Sequence, residues 1–465
     1  MIDEKLEIAR TQAHSASLVR ELRLTDLVLL QVLFIVGLQM SGYAAKQGGT
    51  HVVLWLLAIP LFYLPLAAVV IFLSRRLPLE GGAYQWAKIG LSPAAGFQSA
   101  WNYSFFLILI YSGSGSIVAN SLSYLIGPRG AWMPSHKPLI LALSVGFFAM
   151  VLFVNIRGFH LGRLFTGAGG AIMIALSLLI IGLLVMRLVR RQPVAETPLT
   201  FAWPALTLAS VNLFSKIAFN ALSGFEQVAI FAGECKTPER NIARSVWIAA
   251  PIIALIYIFG TAALLAYTPS GRIDLIAPIP QLFGAAFGSS VIVNVLSATA
   301  ILALLFAVFA QTVACIAQVS RLPMVAGWDG LLPRWFSELH PRFRTPVHAL
   351  WCVVVLCVVF GAASLIQVGE QEAIQILFAT AFGCCGIYYL ILFAVVLRKR
   401  NDAPWWLKVA ACSAAAVTLL SVTFQVVPIL EVAQPFMFAA KVGGMMLLLN
   451  GIGAWIYLRG RNASV

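Results

Sequence analysis

Charge is what this chain has least of. Only 10% of its 465 residues are Asp, Glu, Lys or Arg, where a soluble domain carries roughly 25%. Acidic residues are the scarcer kind, 17 against 31 basic ones. So little charge cannot cover a chain that is 61% apolar, which excludes a water-soluble globule, and the same hydrophobicity excludes disorder. Enzymatic patterns are missing as well. No glycine-rich phosphate loop, HExxH or GxSxG occurs, and the six histidines are scattered, so no enzyme and no cofactor is expected. The seven cysteines form no CxxC pair or Cys/His cluster, and all but Cys235 fall in apolar runs. They read as packing residues, with no metal site. The stretch from Met1 to Leu22 is polar and mixed in charge, unlike a cleavable signal, so the first apolar run is expected to stay.

What the chain does have is long apolar runs. Twelve of spanning length lie near 27–45, 52–73, 97–126, 138–156, 164–186, 206–232, 246–267, 290–319, 347–366, 373–397, 407–427 and 436–458. Twelve spans of about 21 residues need roughly 250 residues, close to the apolar total. The net charge of +14 then writes membrane topology and does not point to nucleic acid. With the N-terminus inside, 22 basic residues fall on the inner side, among them Lys5, Arg10, Arg20, Arg75, Arg76, Arg321, Lys399 and Arg400. Eight fall outside, and Lys216 lies within a span. The expected location is the plasma (inner) membrane with both termini cytoplasmic. The polar segment from Arg321 to Pro346 reads as a cytoplasmic loop with a short interfacial helix.

The first and sixth runs both carry a glycine-interrupted middle, Gly37-Leu-Gln-Met-Ser-Gly42 and Ser223-Gly224, with Gly37 and Gly224 187 residues apart. Pro93 and Pro280, at the entries to spans three and eight, repeat that offset. Five spans per copy is odd, so the second copy enters from the opposite side. The expected organisation is a tail at 1–24, a five-helix repeat at 25–187, an inverted copy at 204–400, and two further helices in 401–465. Paired interrupted helices are where secondary transporters place their binding sites. Freed N–H groups at a half-helix start suit a carboxylate and freed C=O groups at a half-helix end suit an ammonium, though small residues also serve plain helix packing.

Glu226 lies inside the sixth run, where a charged carboxylate costs on the order of 2.5–3.5 kcal/mol. It reads either as a proton carrier or as a neutral acid bonded to freed backbone. Lys216, on the outer half of the same run, reads as a snorkelling cation, a fixed charge for an acidic substrate, or an internal partner for Glu226. That last reading needs the break, because ten residues of straight helix separate them by about 15 Å. Uncharged polar groups at depth are Gln39, Ser41, Asn102, Tyr103, Tyr111, Gln311, Thr312 and Thr380. Trp101, Phe105 and Phe106 offer an apolar lid.

Several motifs resemble those of the amino acid–polyamine–organocation (APC) transporters. Leu77-Pro-Leu-Glu-Gly-Gly-Ala-Tyr-Gln-Trp86 is similar to that family's Pro-x-x-Gly-Gly-x-Tyr segment. Gly224-Phe225-Glu226 followed by Gly233-Glu-Cys-Lys-Thr-Pro238 is similar to its sixth-helix pattern. Ser320-Arg321, Asp329-Gly330, Leu332-Pro333 and Thr345-Pro346 resemble the loop after helix eight. The resemblance implies an all-α, LeuT-like membrane fold of twelve helices, five plus five inverted, with helices one and six broken and two extra C-terminal helices. Val36, Gly37, Gln39, Met40 and Ser41, with Asn220, Ala221, Ser223, Gly224 and Phe225, would then hold the substrate's amino and carboxylate groups. Glu226 would match the glutamate tied to protonation or release. The first-helix segment departs from the family's Gly-x-Gly-Ile-Phe form, and the glutamate/GABA-type antiporters look the nearest subgroup. The expected function is amino acid transport by alternating access, as proton symporter or substrate exchanger. Its alternatives are a polyamine or amine antiporter and a non-transporting amino-acid sensor. The expected partners are a small amino acid or amine, protons and the bilayer.

Overall fold

In a bilayer each backbone N–H and C=O must find its partner within the protein, which leaves helices as the economical solution for apolar runs of this length. The computed structural model is built accordingly. It describes residues 8, 9, 11, 13, 21–287, 291–328, 330–366, 370–398, 402–429, 432 and 434–463. Lys5, Arg10, Arg20, Asp329, Lys399 and Arg400 lie outside the described residues. The helices are α1 (Leu24–Ile35), α2 (Leu38–Ala45), α3 (Gly48–Arg76), α4 (Ala83–Gly90), α5 (Pro93–Gly130), α6 (Lys137–Ile156) and α7 (Phe159–Val189). The second half continues with α8 (Leu208–Lys216), α9 (Pro238–Tyr267), α10 (Pro278–Ala286), α11 (Val291–Trp328), α12 (Val347–Ser364), α13 (Glu370–Leu397), α14 (Trp405–Phe424) and α15 (Pro435–Ala463). Among the described residues there is no strand; one parallel bridge joins Leu22 to Cys235.

Ten of these helices are long and apolar enough to cross a membrane, and α1 with α2 makes an eleventh, bent by 41°. The sixth expected run, 206–232, is not a continuous rod. It is α8, a π-turn over Ile217–Ala221, a non-helical step, and a 3-10 helix over Phe225–Glu234. The segment after helix eight also differs from expectation. α11 stays helical through Trp328, so Arg321 sits on a helix, and the short helix is a single 3-10 turn at Arg334–Ser337.

Burial separates core from rim. The most apolar windows of α5 and α13 are 78% and 72% buried, whereas those of α7, α12 and α14 are 33% buried and that of α15 is 22% buried. α5 and α13 pack against each other at the centre, and the rim helices turn Leu, Val and Trp side chains outward, as lipid solvent allows.

Close approaches fix this packing. A Cβ on Gly115 of α5 would lie 1.9 Å from the Ser144 hydroxyl of α6 and 2.6 Å from the Ile140 carbonyl, while one on Gly146 would meet nothing within 4 Å. Overpacking of this kind costs about 1–3 kcal/mol or more. Gly115→Leu is therefore expected to lower the melting temperature in detergent by several degrees, and Gly146→Leu to leave it unchanged, as read by a thermal-unfolding assay.

Candidate functional site

The first break follows from Gly37, which together with Val36 leaves helical geometry (ψ of 95° and 89°). Ending α1 at Ile35 orphans the last four carbonyls of its final turn, and the protein supplies donors for all of them. Val32 receives the Val36 amide at 2.9 Å. Gln311 Nε2, from α11, donates to the carbonyls of Leu33 and Phe34. The Tyr257 hydroxyl of α9 donates to the Ile35 carbonyl at 2.6 Å and accepts the Gly37 amide at 3.0 Å. Tyr257 thus splints the two sides of the gap. The far side is left open: α2 has no side-chain cap, and the amides of Leu38 and Gln39 carry no hydrogen-bond partner among the described residues.

The second break turns on Gly224, whose φ of +131° is open to glycine and closed to other residues. A Cβ there would also strike Ile35 at 2.9 Å, so the two breaks touch. Here it is the carbonyl end that is open. Phe219 O receives the Ser223 amide at 3.2 Å, but the carbonyls of Asn220, Ala221 and Leu222 have no donor among the described residues.

A cavity of about 770 Å³ lies between the breaks. Of the residues picked from sequence, Gly37, Gln39, Met40, Asn220, Ser223 and Gln311 line it. The others lie elsewhere. Val36 is buried in the break itself, and Ser41, buried with its hydroxyl unpartnered, lies behind the break near Gly260. Asn102 bonds Asn450 of α15 at 2.8 Å, and Tyr103 donates to Gln318 at 2.9 Å. Gly224 forms the turn, and Phe225 packs on the Tyr63 ring, with centroids 4.7 Å apart. Thr380 is buried with an unpartnered hydroxyl. Glu226 is buried below the cavity, accepting a 2.6 Å bond from Tyr389, and its Oε1 has no partner. Sequence reasoning missed Gln227 and the aromatic wall of Phe378 and Phe382, and it noted Tyr111 and Phe106 without assigning them to the site. Gln227 directly follows Glu226 and was legible as polar at depth; the phenylalanines gave no signal apart from hydrophobicity.

A second cavity, of about 460 Å³, adjoins the first at Met40, Asn220 and Phe378 and holds Ala221 and Lys216 in its wall. Lys216 is buried and does not pair with Glu226. Its ammonium donates to the Val427 carbonyl. The neighbouring residues are pinned likewise: Pro428 O accepts from Asn212 at 3.3 Å and the Ile429 amide donates to Gln375 at 3.2 Å. Gln425 reaches Asn220 at 3.1 Å. The link between α14 and α15 is thereby strapped across this cavity.

Comparison with known proteins now decides the family. The amino acid permease family model matches residues 26–449, nearly the whole chain. The chain belongs to the amino acid permease family. It is an integral membrane transporter of the APC superfamily. An uncharacterised transporter of Legionella pneumophila is 25% identical, with 82% of each chain covered. A methylthioribose transporter of Bacillus subtilis is 24% identical, with 85% of each covered, and a low-affinity putrescine importer of Escherichia coli is 25% identical, with 76% of each covered. The crystal structure of MhsT with L-phenylalanine superposes with a TM-score of 0.59 at 14% identity, covering 95% of this chain and 99% of that one. At that identity the likeness speaks for the fold alone, which is LeuT-like.

The Tyr257 splint gives a direct test in this permease. Tyr257→Phe removes one donor and one acceptor and leaves the Gly37 amide and the Ile35 carbonyl with only their mutual 2.8 Å bond, a loss of roughly 1–3 kcal/mol in all. The variant is expected to melt several degrees lower, and any stabilisation by a bound ligand is expected to shrink, in the same thermal assay.

Proposed function

We propose that this permease is a secondary amino acid transporter working by alternating access, with the substrate's zwitterion held between the two breaks. The observation that carries the reading is the polarity of the open ends. Unpartnered amides at Leu38 and Gln39 suit an α-carboxylate, unpartnered carbonyls at Asn220, Ala221 and Leu222 suit an α-ammonium, and both half-helices border one cavity. On this reading residues 25–187 and 204–400 are two copies of opposite sense that rock about the site, and both termini face the cytoplasm, as the basic residues argue. Glu226, sealed against Tyr389 one residue from the cavity-lining Gln227, is the proton carrier that distinguishes symport from simple exchange.

An amine substrate is the second reading, favoured by the likeness to the putrescine importer. Charge argues the other way: among the residues lining the two joined cavities, Lys216 is the one charged group and no carboxylate is present. Lys216, when it carries its proton, opposes a diamine and favours an amino acid that is neutral or acidic.

Each charge-assisted contact is worth roughly 1.5–3 kcal/mol, or about 10- to 150-fold in affinity. A thermal-shift screen is expected to find an amino acid that stabilises the protein, and its decarboxylated and N-acetylated forms are expected to lose that effect. In proteoliposomes, uptake driven by a pH gradient marks symport and uptake dependent on trans substrate marks exchange. Binding without flux would return the protein to the sensor reading. Glu226→Gln is expected to flatten the pH profile of transport; an unchanged profile removes Glu226 from the proton path. Lys216→Met is expected to narrow any preference for amino acids over putrescine.

A further inference from the structure

Away from the central site, two buried carboxylates share one guanidinium. Glu80 lies in the link between α3 and α4, Glu234 ends the 3-10 helix of the second break, and Arg321 rises from α11. Arg321 Nε lies 3.1 Å from Glu234 Oε1 and 3.7 Å from Glu80 Oε1, and its Nη1 donates to the Ala317 carbonyl at 2.6 Å. The Gly233 amide donates to Glu80 Oε2 at 2.7 Å. Both acids are nearly inaccessible, and Glu80 Oε1 and Glu234 Oε2 have no hydrogen-bond partner. One cation against two acids leaves a surplus negative charge in a dry place, a costly state that adding a proton relieves.

The cluster also sits on a fastening. The N-terminal segment crosses it, with the amides of Glu21 and Leu22 donating to the Glu234 carbonyl at 3.0 and 3.1 Å and the Lys236 amide to Leu22 O at 3.2 Å. The 77–82 link lies so close to the same 3-10 helix that a Cβ on Gly82 would meet the backbone of Ala229 and Ile230 at 3.0 Å. A cavity of about 560 Å³, lined by Leu22, Phe231 and Arg321 among others, opens beside the guanidinium. The three acids and bases therefore join a broken helix to two neighbours and to the tail, within reach of one face of the molecule.

We propose that Glu80, Glu234 and Arg321 form a second proton-binding site, separate from Glu226, that fastens the far half of the sixth span when it holds a proton and releases it when the proton leaves. The proposal rests on the transporter reading for its purpose, not for its chemistry. Charged or titratable groups on the surrounding elements are Arg75 and Arg76 of α3, Tyr84 and Lys88 of α4, Glu21, Arg23 and Asp26 of the tail and α1, Arg163 of α7, Cys235 and Lys236, and Glu239, Arg240 and Arg244 of α9. Of these and the cluster's own members, Glu234 and Arg321 are the ones whose charge acts on Glu80. Burial raises the Glu80 carboxyl most, Glu234 adds to the rise, and Arg321 and the Gly233 amide oppose it without cancelling it. Because the fastened state holds its proton more tightly than the same groups exposed, acid favours fastening. Fastening weakens as pH climbs from the ordinary carboxylate range toward the raised value, by at most about tenfold per pH unit for one proton.

Cys235, buried beside Glu234 under the tail, reports on release. The experiment measures maleimide alkylation of Cys235 by peptide mass spectrometry on the full-length protein from about pH 6 to about pH 9. Dividing the rate by that of Glu80→Gln cancels the thiol's own titration. The ratio is expected to rise about tenfold or more with pH, and Glu234→Gln, divided in the same way, to move that rise to lower pH and shrink it, because the burial of Glu80 remains while the second negative charge is gone. Glu226→Gln is expected to keep the rise while its transport profile changes. A flat wild-type ratio, or a rise of the same size and position in Glu234→Gln, overturns the proposal even if transport stands. Absence of flux for every amino acid with the rise intact overturns the transporter reading instead.

Discussion

Peptide groups cannot be left bare in hydrocarbon, and this protein is arranged around two places where helices stop short of the far side. At the first, Tyr257 and Gln311 take up the exposed carbonyl edge, so the gap is held open by side chains from α9 and α11 and not by flexibility. What remains unpaired is one edge from each break: amides from α2, carbonyls from the end of α8 and its π-turn. The interior is thereby dipolar before any ligand arrives, and that arrangement costs no reorganisation on binding.

The scarcity of charge has a counterpart in how each buried charge is handled. Lys216 rests on a carbonyl, Glu226 on a tyrosine hydroxyl, and Arg321 on a carboxylate, a carbonyl and the Phe231 ring 4.7 Å away. At the tail side, Arg163 of α7 holds Asp26 of α1 at 2.9 Å. These attachments bind the half-helices to their neighbours at a few points. A rigid rocking motion would have few polar links to break, which suits the alternating access proposed for this permease.

Much of this was readable from the chain. Apolar run length gave the spans, because lipid imposes length and polarity together. Gly37 and Gly224 marked the breaks, because φ of +131° at Gly224 leaves no room for another residue type. The α-helical continuation through Arg321 was not readable, since a polar residue at a helix end looks like a loop until its acidic partners, 87 and 241 residues away, are known. Gln311 was picked for its polarity at depth and does line the cavity, but its second task was not readable. Its amide is committed to α1, nearly 280 residues earlier, and no local pattern encodes such a bond. Lys216 was located by its charge, yet its acceptor belongs to a link between later helices whose sequence carries only prolines as a hint.

That link changes the standing of the last two helices. They sit mostly in lipid and add little to the core, so they look dispensable. Yet Gln425 grips Asn220 in the cavity wall, and three consecutive residues at 427–429 are anchored to α8 and α13. The C-terminal pair is therefore a tether on the wall of the second cavity, and under the proposed alternating access it would act as a hinge-pin limiting how far α8 can part from α13.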